Sequence, residues 1–199
     1  REEIKRRTGH YYGGLSPDIY SSVAVSCVAN SHYVIDEPLS IAGVCATSTT
    51  ADNFKGKHSG SLENIPHLRH RENYQFSKKI PLYYSVNTIW AESGLKALEE
   101  LKETELLKKF NIYMLVAQAW IHNKKFIPEL MEEKHKDLFN HHKIPFTKGK
   151  YKVFLATLKI YGAKLKRVLQ NKMKSKKVTE YQGLSNLSEV IEKYKTLNN

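Results

Sequence analysis

The sequence predicts an α/β protein: a head with a few short strands, followed by a mainly α-helical region beginning near residue 87. Three observations predict it. The segment HYVIDEPLSIAG (32–43) is rich in β-branched residues around Pro38, the composition of short strands broken by a turn. From residue 87 onward the chain reads as helical, and from Tyr151 to Met173 its apolar residues recur at steps of three and four, which is helical spacing. An apolar fraction of 41% with 11% aromatic residues, over 199 residues, suits one folded domain or one domain with an appendage.

Taken in order, residues 1–15 read as a linker or a loop lining a site. Gly13 and Gly14 break the backbone. Ser16 then fits an N-cap, Pro17 the first helical position, and Asp18 complements the positive helix end. This helix is expected to run to about Ala29. A short strand follows at 33–36, then a turn over Asp36, Glu37 and Pro38, and a second strand at 39–44. Residues 46–80 carry Ser, Thr, Asn, Gly and His with little periodicity. A structureless loop of that length is uncommon and usually functional. Helices are expected at 87–108, 110–122, 128–140, 149–174 and 185–197, with breaks at Pro128 and at KIPFTKGK. The division is therefore 1–86 and 87–199.

No apolar run reaches the roughly 18–20 residues that span a bilayer; NIYMLVAQAWI (111–121) reads as a buried helix. No secretory signal is present. Cys27 and Cys45 belong to no CxxC pair, which excludes a disulfide framework or a zinc finger and fits buried thiols in a reducing compartment. The first residue is Arg1, with no convincing first strand and no strand–glycine–helix unit to hold a nucleotide. The expectation is the C-terminal portion of something longer.

The net charge of +12 is concentrated. Lys143 to Val178 contains twelve Lys and Arg residues and no acidic residue, so the remainder is neutral. Within it, Tyr151, Phe154, Leu155, Leu158, Tyr161, Leu165, Val168, Leu169 and Met173 form an apolar stripe at helical spacing, with most lysines on other faces. Such a helix can pack its stripe on its own domain, lie on anionic lipid with lysines snorkelling to the headgroups, or bind phosphate backbones. No RNP, zinc-finger or helix-turn-helix pattern supports nucleic acid.

Asp18 can be a helix-capping carboxylate or a general base; near a helix N-terminus its pKa is expected to be low, leaving it ionised at pH 7. Gly13 and Gly14, beside His10, Tyr11 and Tyr12, would allow a substrate to approach the backbone. Of the nine histidines, His58 in GKHSG sits on a glycine-flanked loop that suits a metal ligand or a phosphate contact, and His67 and His70 are three apart, the spacing of a ligand pair on a helix. No HExxH or similar arrangement occurs. TSTT (47–50) is either a polar turn or a set of hydroxyls for sugar or phosphate oxygens.

Together, Pro17-Asp18 with Tyr20, then Glu37-Pro38-Leu39, Gly43 and Ser48-Thr49, resemble in order and spacing the C-terminal half of family-two glycosyltransferases with the GT-A fold. The resemblance covers roughly residues 10–60. It implies an inverting transfer of a sugar from a nucleotide-sugar donor to a hydroxyl on a glycan or lipid-linked acceptor, with Asp18 as catalytic base. It further implies acceptor contacts from Tyr12, Gly14, Tyr20, Ser48 and Thr49. Mg²⁺ or Mn²⁺ would neutralise the diphosphate leaving group, with its main ligands in a nucleotide-binding half; no Asp-x-Asp occurs in these 199 residues. Thr50 stands where glycine is more usual. The implied location is cytoplasmic, peripheral at the inner membrane face through residues 149–174. The rival reading is a non-catalytic basic helical module that binds anionic lipid or nucleic acid.

Overall fold

In a computed structural model that describes residues 1–35, 56–64, 68, 74–174, 183 and 186–198, the chain is mainly helical. Eight α-helices occur among the described residues: α1 (Glu2–Thr8), α2 (Pro17–Val28), α3 (Val86–Glu100), α4 (Thr104–Lys109), α5 (Ile112–Asn123), α6 (Pro128–His141), α7 (Phe146–Lys174) and α8 (Leu187–Asn198). A 3₁₀ turn covers Leu62–Asn64.

The α/β expectation is corrected. No strand is present among the described residues, and the one antiparallel pairing is an isolated bridge in which Gly60 and Tyr84 exchange N–H···O bonds of 3.0 and 2.7 Å. A GT-A fold needs a central sheet. Tyr33, Val34 and Ile35, read as a strand from their β-branched character, have no regular structure and are exposed. A strand must pair its backbone groups with a neighbour, and composition alone does not supply one. Residues 39–44, the second expected strand, lie outside the described residues.

Helices α3 and α5 start where a specific side chain satisfies their orphan N–H groups. Ser85 opens α3 with a capping box: Ser85 Oγ accepts from Thr88 N–H at 3.1 Å, and Thr88 Oγ1 accepts from Ser85 N–H at 3.0 Å. Asn111 Oδ1 caps α5 by accepting from the N–H groups of Tyr113 and Met114, both at 3.1 Å. Pro17 and Pro128 occupy the first turns of α2 and α6, where the missing N–H costs nothing.

The described residues divide into two compact units, Arg1–Ile160 and Tyr161–Asn199. In the first, α2 packs along α3, α1 lies on α2, and α3 also meets α4 and α5. The core is a chain of small clusters. Ile4, Tyr20, Ala24, Ala97 and Leu101 close the α1–α2–α3 junction. Ile112, Val116, Leu138 and Phe139 join α5 to α6, with Phe146 and Val153 of α7 against them. Tyr83, Ala119 and Met131 form another cluster. The second unit contains the C-terminal turns of α7 and the helix α8, and none of its described residues is buried.

Candidate functional site

The approach to α2 is built by contacts that the two glycines permit. Helix α1 ends at Gly9 in the left-handed region (φ 82°), the usual helix C-terminal cap. The chain then turns through Gly13 and Gly14 onto α3. Gly14 has φ 65°, and a Cβ there would stand 2.9 Å from Ser93 Cα, so only glycine lets the backbone come this close. Ser93 Oγ fixes the turn by accepting from Leu15 N–H (3.1 Å) and Ser16 N–H (2.8 Å). A Cβ at Gly13 would meet Tyr20 Cε2 at 2.7 Å and His10 Nε2 at 2.8 Å. The glycine pair thus seats the chain on α3.

Beneath the turn is a polar cluster centred on Glu100. Its Oε2 accepts the Tyr20 hydroxyl and lies 3.0 Å from His10 Nε2, while Lys96 Nζ is 3.3 Å from Oε1. Tyr20 is completely buried. Its phenol pKa is pushed up to about 12, first by burial and then by donating to Glu100, which keeps the hydroxyl protonated.

Asp18 occupies the first turn of α2 and is exposed. Ser16, the N-cap residue, spends its hydroxyl on this carboxylate instead of on the helix backbone, donating to Asp18 Oδ1 at 2.5 Å. That bond, helped by backbone N–H donors including Ile19, holds the carboxyl below the ordinary aspartate range against a smaller opposing effect of burial. The carboxylate is ionised at neutral pH and faces water.

Tyr12 is 61% exposed. Gly14 and Tyr20 are buried and engaged with Ser93 and Glu100, so neither presents a side chain or open backbone to a substrate. Ser48 and Thr49 lie outside the described residues, as do His67 and His70. His58 is partly buried, its Nδ1 2.5 Å from the Tyr84 hydroxyl. Among the described residues no three His, Cys, Asp or Glu side chains converge as a cation site. The resemblance puts the main ligands of its Mg²⁺ or Mn²⁺ in a nucleotide-binding half and not among these residues.

Two buried ionisable groups escaped the sequence reading. Glu92 lies in α3, 3% exposed, its carboxylate accepting from Tyr74 OH (2.9 Å) and Ser77 N–H (3.1 Å). Burial raises its pKa. His135, also buried, has Nε2 3.1 Å from the hydroxyl of fully buried Tyr83. Burial lowers its pKa to about 4. His135 lines a largely apolar cleft of about 480 Å³ with Trp120, Phe139, Phe146, Val153 and Phe154. The Glu132–Lys150 ion pair (2.9 Å) also contributes to its wall. Neither Glu92 nor His135 carries a sequence signal, because burial of a lone polar residue on a helix depends on what packs over it.

Helix α7 turns out to have two apolar faces. Phe146, Val153 and Ala156 pack inward, and Gly149 lets the Phe139 ring approach so closely that a Cβ would lie 2.6 Å from it. The stripe drawn from sequence is the other face: Tyr151, Phe154, Leu155, Leu158, Tyr161, Leu165, Val168 and Leu169 are all exposed, by 44% or more. No helix among the described residues is long and apolar enough to cross a membrane.

The chain matches no protein-family model, no curated protein and no solved structure.

Proposed function

We propose that this chain supplies the general base of an inverting glycosyl transfer from a nucleotide-sugar donor to a hydroxyl acceptor, with Asp18 taking the acceptor proton. The observation that carries the reading is the state of Asp18. Its carboxylate is exposed, ionised and held in one orientation by the Ser16 hydroxyl at the first turn of α2, behind a glycine turn locked to Ser93. That is what a base for an incoming alcohol requires: a lone pair available at neutral pH, and restricted motion so that positioning need not be achieved at the moment of reaction. The sequence pattern of residues 10–60 supports the same role. The reading concerns the acceptor side of the reaction, and no cation or donor site among the described residues enters it.

In the chemistry so assigned, the acceptor O–H bond breaks as oxygen attacks the anomeric carbon. The proton passes to Asp18, and the nucleoside diphosphate leaves with the electrons of the glycosidic bond. The test is release of nucleotide from nucleotide-sugar donors in the presence of hydroxyl acceptors, comparing the wild type with Asp18→Asn. The amide cannot accept the proton, and the expected loss is about 10²–10⁴-fold with donor affinity unchanged. Because the carboxyl titrates below the ordinary range, wild-type turnover should hold as the pH falls from 7 to about 4 and decline only below it. Undiminished turnover by Asp18→Asn rejects the assignment.

A further inference from the structure

We propose that the helical stretch Tyr161–Asn171 docks on the surface of an anionic lipid bilayer. Every residue from Tyr161 to Asn171 is exposed. Four are large and apolar: Tyr161, Leu165, Val168 and Leu169, each between 44% and 61% open. Steps of four, three and one place them on a single helix face. Lys164, Lys166 and Arg167 are interspersed with them, and none pairs with a carboxylate among the described residues. The preceding turns repeat the pattern, with Tyr151, Phe154, Leu155 and Leu158 exposed and Lys159 beside them.

The cations and the apolar face make different demands on a partner. Three cations in four residues, none of them paired among the described residues, call for an anion, and the sequence from Lys143 to Val178 offers no acidic residue to supply one. The apolar side chains call for a medium other than water, since each is worth roughly 1.5–3 kcal/mol when fully buried. A bilayer with anionic headgroups meets both demands: the aliphatic side chains enter the headgroup–acyl boundary and the lysine stems extend back to the phosphates. A nucleic-acid backbone meets only the first, because three of the four apolar residues on this face, Leu165, Val168 and Leu169, offer phosphate nothing and cannot stack on bases as the Tyr161 ring does. No helix among the described residues is both long and apolar enough to span a bilayer, so the contact is with the surface. This inference stands independently of the role assigned to Asp18.

The experiment is co-sedimentation of the full chain with vesicles of phosphatidylcholine alone or enriched in phosphatidylglycerol, over a range of salt. The wild type should bind the anionic vesicles, release them as salt rises, and ignore the zwitterionic ones. Replacing Lys164, Lys166 and Arg167 together by Gln should weaken binding about 10²-fold, from roughly 1 kcal/mol per cation near an anionic surface. Leu165→Gln with Leu169→Gln should weaken it at least about tenfold while leaving the salt dependence in place. All five positions are exposed, so circular dichroism and melting should match the wild type. Equal binding to both vesicle types, no binding to either, or wild-type binding by both variants overturns the proposal. Tighter retention on an RNA or DNA duplex than on anionic vesicles assigns the surface to nucleic acid instead. Self-association that is abolished by the leucine variant, without vesicle binding, assigns it to a second copy of the chain.

Discussion

Glu92 and His135 are both buried, and burial pushes them in opposite directions along the pH axis. His135 has a folded pKa of about 4, below its ordinary value near 6.5. A group depressed in this way adds stability that is complete above about pH 6.5 and is lost as pH falls through 4. The difference amounts to at most about 3 kcal/mol, enough to matter in a protein of ordinary marginal stability. Glu92 is raised instead. Its contribution is complete below the ordinary glutamate pKa and is lost as pH rises through the raised value. The two slopes therefore oppose each other in the mildly acidic range. Melting temperatures measured between pH 4 and 7 should show it. Glu92→Gln removes the falling component, so the variant should lose stability on acidification more steeply than the wild type. His135→Phe combined with Tyr83→Phe removes the rising component without leaving a buried hydroxyl unpaired, so the falling Glu92 component remains and this variant should gain stability as the pH drops from 7 towards 4. A wild-type slope in both variants would mean that other groups control the acid response.

At the scale of the helices, what was legible in the sequence followed local chemistry, and what was hidden depended on partners. Ser16-Pro17-Asp18 marks the start of α2, and Pro128 that of α6, because caps and prolines act within one turn. Helix α1 was hidden: Ile4 is its one buried residue, and among Glu2, Glu3, Lys5, Arg6 and Arg7 a lone apolar position has no period. The break between α3 and α4 was hidden as well, since it is made by Lys102 at φ 58° rather than by glycine or proline. At the site, the exposed carboxylate of Asp18 follows from its place in the cap. The burial of Gly14 and Tyr20 does not, because it is set by Ser93 and Glu100, more than seventy residues away. Helix α7 is the sharpest case. The large apolar residues left open whether their stripe packs inward or meets lipid or phosphate, and the face that packs is the one with Gly149 and Ala156, because small residues let helices approach. Gly149→Ala should therefore destabilise by about 1–3 kcal/mol through overpacking against Phe139, although alanine favours helix. Phe139→Leu in the same chain should recover part of the loss. Ser85→Ala should cost about 1 kcal/mol by removing the α3 capping box. Denaturant midpoints measure all three variants.

For the molecule as a whole, charge and core are segregated along the chain. Residues 161–199 hold nine Lys and Arg against three Glu, and no described residue beyond Ala156 is buried. The hydrophobic clusters all draw on residues up to Val153. Burial of apolar surface is the main favourable contribution to folding, so the tail contributes charge and exposed apolar area while contributing almost none of this driving force. Like charges at that density also repel one another. Deleting Tyr161–Asn199 should then leave the melting temperature of the remaining chain within a few degrees of the full protein, since a change of about 1 kcal/mol moves a domain of 150–250 residues by roughly 2–4 °C. The same deletion should abolish sedimentation with anionic vesicles. A melting temperature lowered by ten degrees or more would show that residues past Ile160 carry packing that Arg1–Ile160 needs. In that event the exposure of Leu165 and Leu169 would have to be explained by the fold and not by a lipid surface.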